Sequence, residues 1–271
     1  MPLSPRLGRA QAGAERRWRR ATAVARTLPD VVILGTQRGG TTSLFDWLAT
    51  HPNVAPSTTK EVHYFDRHYG NGELWYRAHF PLKLVPRTSV EATPYLLFYP
   101  PAPSRVAADL PRSTRFVVLL RDPVQRAISQ YWHSCRLGAE DQPLEVALAL
   151  EQERLAGQDA IVASGGESFA HRNFSYKARG HYAEQLRRWF AAVERDRFLV
   201  MESEELWGDP RGPARALEWL GLSPVTTPFP ATNDAPRARP EEEAVVEDLR
   251  RHFAPYNEDL FELLGRRLWQ R

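Results

Sequence analysis

The segment from Val31 to Leu48 constrains the fold more than any other part of the chain. Val31-Val32-Ile33-Leu34 is a short β-branched apolar run between Pro29-Asp30 and Gly35, the pattern of a strand buried on both faces. The polar loop Gly35-Thr36-Gln37-Arg38-Gly39-Gly40-Thr41-Thr42 follows, and Leu44, Trp47 and Leu48 then recur at helical spacing. A helix is therefore predicted from about Thr41, ending at His51-Pro52-Asn53. Gly35, Gly39 and Gly40 permit close backbone approach, so successive N–H groups can turn inward onto an anion. The helix N-terminus adds partial positive charge and Arg38 a full one. Strand, glycine loop and helix in this order suit one phosphate group.

Further apolar runs extend the pattern. Phe116-Val117-Val118-Leu119-Leu120 and Phe198-Leu199-Val200-Met201 read as strands, and Ser89–Pro94 as a shorter one. Helical patterns lie near 104–110, 143–157, 179–193, 212–220 and 240–264, and one begins after Pro123. Strands alternating with helices predict an α/β fold with a central parallel sheet flanked by helices, in a single domain over 29–271. Residues 1–28 form an Arg- and Ala-rich N-terminal extension with Arg16, Arg17, Arg19 and Arg20. It lacks the apolar centre of a secretory signal and reads as a surface helix. The Pro-rich stretch 223–240 reads as a long loop.

Composition narrows the function classes. No apolar run approaches the roughly 18–20 residues that span a bilayer. The one cysteine, Cys135, excludes an internal disulfide and a multi-cysteine zinc site; no metal is expected. Of 36 basic residues only Lys60, Lys83 and Lys177 are lysine, and the formal net charge is +3. Such arginine usage suits bidentate binding of phosphate or sulfate. A nucleic-acid partner would call for a denser basic stripe, so none is expected. The arginine bias, the lone cysteine and the lack of a spanning run give the expectation of a cytoplasmic, bacterial protein.

The glycine loop has the spacing of a Walker A motif, G-x-x-x-x-G-K-[ST], from Gly35 to Gly40, but Thr41 stands where the lysine belongs. Phosphoryl transfer from ATP normally uses that lysine together with Mg²⁺. A second polar cluster follows the second strand: Arg121-Asp122-Pro123-Val124-Gln125-Arg126-Ala127-Ile128-Ser129-Gln130-Tyr131. Asp122 is placed to cap a helix with Pro123 at its first position. Arg121 and Ser129, about two helical turns apart, could grip a second phosphate. Two phosphate sites on one sheet edge suggest a ligand phosphorylated at two positions.

These two motifs resemble the 5′-phosphosulfate loop and the 3′-phosphate motif of sulfotransferases that use 3′-phosphoadenosine 5′-phosphosulfate (PAPS). Lys60-Glu61-Val62-His63-Tyr64-Phe65-Asp66 is similar to the acceptor-side motif of the heparan-sulfate, or carbohydrate-type, branch. The resemblance spans roughly 30 to 265. It implies sulfuryl transfer from PAPS to a hydroxyl of a glycan, glycolipid or secondary metabolite, releasing the bisphosphate PAP. By resemblance Arg38, Gly39, Gly40, Thr41, Thr42 and Ser43 hold the 5′-phosphosulfate, and Arg121 and Ser129 the 3′-phosphate. Tyr182, in Gly180-His181-Tyr182, and Arg237 and Arg239 complete the nucleotide site. Glu61 is the implied base, His63 orients it or replaces it, and Lys60, His63 and Asp66 face the acceptor. Heparan-type members usually carry lysine at the Arg38 position, whereas protein-tyrosine sulfotransferases use arginine. The heparan-type lysine that contacts the polyanion is matched here by Ala92, after Glu91, so repulsion of a polysulfated acceptor is expected. Tyr64, Phe65, Trp75, Tyr76, Tyr95, Phe98 and Tyr99 could stack on a sugar or pack in the core. Two alternatives stay open from the residues alone: a nucleotide-dependent kinase with an atypical P-loop, marked by a need for Mg²⁺-ATP, and a non-catalytic nucleotide-binding module.

Overall fold

Five short segments pair edge to edge as parallel strands in the order β2-β3-β1-β4-β5. They are β1 (Val31–Ile33), β2 (Val54–Pro56), β3 (Thr88–Ala92), β4 (Arg115–Leu120) and β5 (Phe198–Glu202). A computed structural model of the chain describes residues 5–208, 211–230 and 242–269. The helices leading into the site are α1 (Pro5–Ala21), α2 (Thr41–Ala49), α3 (Glu73–Arg77), α4 (Tyr95–Phe98), α5 (Ala102–Asp109) and α6 (Pro123–Arg136).

Inside the β2 edge the strands are largely buried on both faces, and their side chains alternate between two cores. Val32, Phe116, Val118 and Leu120 join Trp189 and Leu260 on one side. Val31, Ile33, Val117 and Leu119 join Leu44 and Trp47 of α2 and Leu217 on the other. This is the single-domain α/β arrangement expected from the sequence, with helices covering a parallel sheet. It sends α2 and α6 away from the carboxyl ends of β1 and β4, the central pair, where open α/β sheets bind ligands.

Three details differ from the sequence reading. β2 is only three residues long and half-buried beyond Val54, too short to show an apolar period. The 143–157 pattern divides into Leu144–Ala149 and Glu151–Leu155. The helix expected near 179–193 begins as a 3-10 turn, Ala178–Gly180, and turns α-helical only at Tyr182. Among the described residues no helix is long and apolar enough to cross a membrane.

Candidate active site

The glycine loop leaves β1 and runs beside β4. Leu34 and Thr36 donate their N–H groups to the carbonyls of Val117 and Leu119, at 2.9 and 2.8 Å. Gly39 closes a tight turn by donating to Thr36. Gly40 caps α2 at φ +85°, and a Cβ there would stand 2.0 Å from the Trp207 ring, so both backbone and space demand glycine. Ser203, at the end of β5, ties the loop down: its hydroxyl donates to the Gly39 carbonyl at 2.7 Å and lies 3.1 Å from that of Leu120. Ser203 is missed by sequence reasoning, since a lone serine after a strand has no local signature.

No side chain caps α2. Among the described residues, the N–H groups of Arg38, Gly40, Thr41, Thr42 and Ser43 have no hydrogen-bond acceptor. They form a cluster of donors at a helix N-terminus, where the helix dipole favours an anion. Thr41 is buried under the loop while Thr42 stays exposed.

Arg38 joins the two phosphate motifs. Its Nε donates to Ser129 Oγ at 3.0 Å, and its carbonyl accepts from Arg121 Nη1 at 3.2 Å. Asp122 caps α6 as expected, accepting from the Gln125 N–H at 2.9 Å. Ser129 is fully buried beneath Arg38. Tyr182 is also buried; its hydroxyl donates to the Arg121 carbonyl at 2.8 Å and meets Thr36 of the glycine loop. Arg179, from the 3-10 turn, reaches Gln37 of the loop. Burial lowers its pKa to about 9. Burial, and then Arg136 and Arg121, also lower that of Arg38. Among the described residues, no carboxylate pairs with Arg38, Arg126 or Arg179. The Nε atoms of Arg126 and Arg179 are buried without hydrogen-bond partners. Arg237 and Arg239 lie outside the described residues.

The acceptor-side motif is a chain of alternating charges. Lys60 Nζ lies 2.6 Å from Glu61 Oε1, His63 Nε2 3.3 Å from Glu61 Oε2, and His63 Nδ1 2.8 Å from Asp66 Oδ2. The Glu61 N–H donates to the Ala92 carbonyl, fixing this segment to the end of β3. Glu61 and His63 both adopt positive φ, +58° and +56°, as does Arg38 at +69°. Such backbone is costly for non-glycine residues and collects at functional sites.

Electrostatics assign the protons. Burial works to raise the Glu61 pKa, but the His63 hydrogen bond and the Lys60 charge overrule it and lower it to about 2. Burial works to lower His63, but hydrogen bonds to Asp66 and Glu61 raise it to about 9. At neutral pH Glu61 is therefore a carboxylate and His63 an imidazolium. Asp66 has no exposed side-chain surface and lies 3.7 Å from Arg172. It touches the site through His63, whose Nδ1 it holds at 2.8 Å.

Glu91 departs from the expected repulsion. It is 1% exposed, receives hydrogen bonds from Tyr76 and Thr93, and is pushed up by burial to about 7. It faces the core and cannot repel an acceptor. Of the flanking aromatics, Tyr64, Phe65, Tyr76, Tyr95 and Tyr99 are core residues, while Trp75 and Phe98 are only partly buried.

Comparison with known proteins agrees with this geometry. Residues 28–227 match the family described as Sulfotransferase domain. The chain is 29% identical over 266 residues to human heparan sulfate glucosamine 3-O-sulfotransferase 3B1, covering 89% of this chain and 64% of that protein. It thus spans less than two thirds of that relative's length. It is 30% identical over 265 residues to mouse heparan sulfate glucosamine 3-O-sulfotransferase 6, covering 89% and 73%. The crystal structure of a sulfotransferase from Alicyclobacillus acidocaldarius superposes with a TM-score of 0.70 at 27% identity, covering 90% of this chain and all of that one. With the match running from before β1 to beyond β5, the chain belongs to the sulfotransferase domain family.

Proposed function

We propose that the protein transfers the sulfuryl group of PAPS to a hydroxyl of a glycan acceptor. The observation that carries this is the set of unpaired loop N–H groups beside Arg38, joined through Ser129 and Arg121 to a second cationic position. In this reading the loop amides, Arg38 and the hydroxyls of Thr41, Thr42 and Ser43 hold the 5′-phosphosulfate. Arg121 and Ser129 hold the 3′-phosphate, and Tyr182 positions Arg121. Arg237 and Arg239 remain candidates for closing over the nucleotide. The names of the 3-O-sulfotransferase relatives support a glycan hydroxyl, and the burial of Glu91 removes its repulsion of an acidic one, while Ala92 still supplies no cation there. A glycolipid or secondary metabolite bearing a hydroxyl fits the same chemistry. A cytoplasmic, bacterial setting is part of the proposal and rests on composition alone.

The acceptor oxygen attacks sulfur in line with the bridging oxygen of PAPS. The new O–S bond forms as the S–O bond to the 5′-phosphate breaks, and the acceptor proton passes to Glu61. PAP leaves, its charge met by the loop amides and Arg38. Glu61 is a weak base at a pKa of about 2. It suffices because the acceptor hydroxyl becomes strongly acidic only as the O–S bond forms, so proton transfer runs with bond formation. His63 already carries a proton at neutral pH and so orients Glu61 rather than taking the base's part.

Thermal unfolding with adenosine 3′,5′-bisphosphate, AMP and Mg²⁺-ATP tests the reading. Ligand at about 100 times Kd adds about 2.7 kcal/mol, roughly 5–10 °C for a chain of this size. The bisphosphate is expected to give that shift and AMP much less. A shift with Mg²⁺-ATP alone would overturn the proposal in favour of a kinase.

A further inference from the structure

A cavity of about 670 Å³ opens at the β2 edge of the sheet, between α1 and the segment that leads into Lys60 and Glu61. Glu15, Arg16, Arg19 and Arg20 of α1 line one side, the Glu15 carboxylate held by Arg19, with Trp75 and His79 on the other side and Thr58 and Thr59 at the rim. Thr59 lies two residues before Glu61, at most about 7 Å along the chain. The cavity therefore adjoins the acceptor side of the site.

Its chemistry is specific. Arg19 is engaged, donating to Glu15 at 3.0 Å and to the Phe80 carbonyl at 3.4 Å. Arg16 and Arg20 have no carboxylate partner among the described residues. His79 is kept neutral by burial and by Arg19, and its Nδ1 lies 2.9 Å from Thr58 Oγ1. Trp75 packs on His79 with the rings tilted at 59° and centroids 4.7 Å apart, and is only partly buried. The cavity thus pairs two uncompensated cations with an aromatic wall and two hydroxyls. α1 is held in place by the body of the fold: Arg26 donates to the Phe80 carbonyl at 2.8 Å and lies 4.5 Å from the Trp18 ring centroid.

We propose that α1 completes the acceptor site, and that this cavity takes an anionic, ring-bearing part of the acceptor. Arg16 and Arg20 would receive its carboxylate or sulfate, and Trp75 its ring face. This rests on the sulfotransferase reading and assigns the N-terminal extension a binding role. Opposite charge attracts a solvated anion here without burying an unpaired ion, because the cations stay exposed.

The test compares binding of phenyl β-D-glucuronide and phenyl β-D-glucoside by titration calorimetry at low salt, on the full chain saturated with adenosine 3′,5′-bisphosphate. The glucuronide is expected to bind roughly three- to tenfold more tightly, a preference that added salt weakens. It should vanish in the double variant Arg16→Gln/Arg20→Gln and in Thr59→Glu, which sets a like charge on the rim. Both variants should keep the thermal shift with the bisphosphate, which shows that they fold. Equal binding of the two glycosides, binding of neither, or a preference that survives both variants overturns the proposal. Loss of the bisphosphate shift in the unaltered protein would instead count against the sulfotransferase reading itself.

Discussion

The glycine loop and the Lys60–Asp66 segment lie on the same edge of one sheet, yet they are built by different means. The loop is made of backbone: its donors are main-chain amides, Gly40 is fixed by Trp207 and positive φ, and Ser203 and β4 hold it from below. The acceptor segment is made of side chains: an exposed Glu61, a half-buried His63 and a buried Asp66 joined by two short contacts. A backbone cradle binds any ligand of the right charge and size, and its donors change little with pH. A side-chain relay depends on protonation and on each member in turn. The two halves should therefore fail differently when mutated.

The largest separation is expected at Glu61. Glu61→Gln keeps the shape and removes the proton acceptor, so kcat should fall by about 10²–10⁴-fold. PAP binding, measured by thermal shift, should stay unchanged, because no loop donor touches Glu61. Full activity in the variant would remove Glu61 from the mechanism. Arg121→Met probes the other half. Losing one charge-assisted contact should weaken adenosine 3′,5′-bisphosphate by about 10–100-fold and AMP by much less. Equal losses for both ligands would mean that Arg121 acts only by holding the Arg38 carbonyl.

The same contrast explains what could be read in advance. β1, β4, β5 and the start of α2 were legible because fully buried parallel strands appear as unbroken apolar runs and a glycine loop has local spacing. β2 was not, since three half-buried residues carry no period. The phosphate motifs were legible as contiguous strings. The direct Arg38–Ser129 contact was not, because it joins residues far apart in sequence through tertiary packing alone. Glu91 shows the limit most clearly. Strand alternation puts its neighbours Val90 and Ala92 in the core on one face of the sheet and turns Glu91 itself into the other, against Tyr76. The N-terminal extension looked like a solvated arginine helix, and only its docking through Arg26 brings it against Trp75.

The finest test separates the relay from a mere ion pair. A His63 pKa raised from 6.5 to about 9 means that the imidazolium's contribution is complete below 6.5 and is lost as pH rises through about 9. Glu61 runs the other way: with its pKa lowered from 4.5 to about 2, its contribution is complete above 4.5 and is lost only as pH falls toward 2. Activity should thus show an alkaline limb near 9 and no acid limb from Glu61 above about 4.5. Asp66→Asn removes one of the two carboxylates that hold the His63 proton, so the alkaline limb should move toward 6.5 by about one unit or more. The bisphosphate affinity at pH 6 should not change, since the loop amides do not titrate. A limb that stays near 9 in Asp66→Asn would show that another group controls it, and would leave His63 as a packing residue beside Glu61.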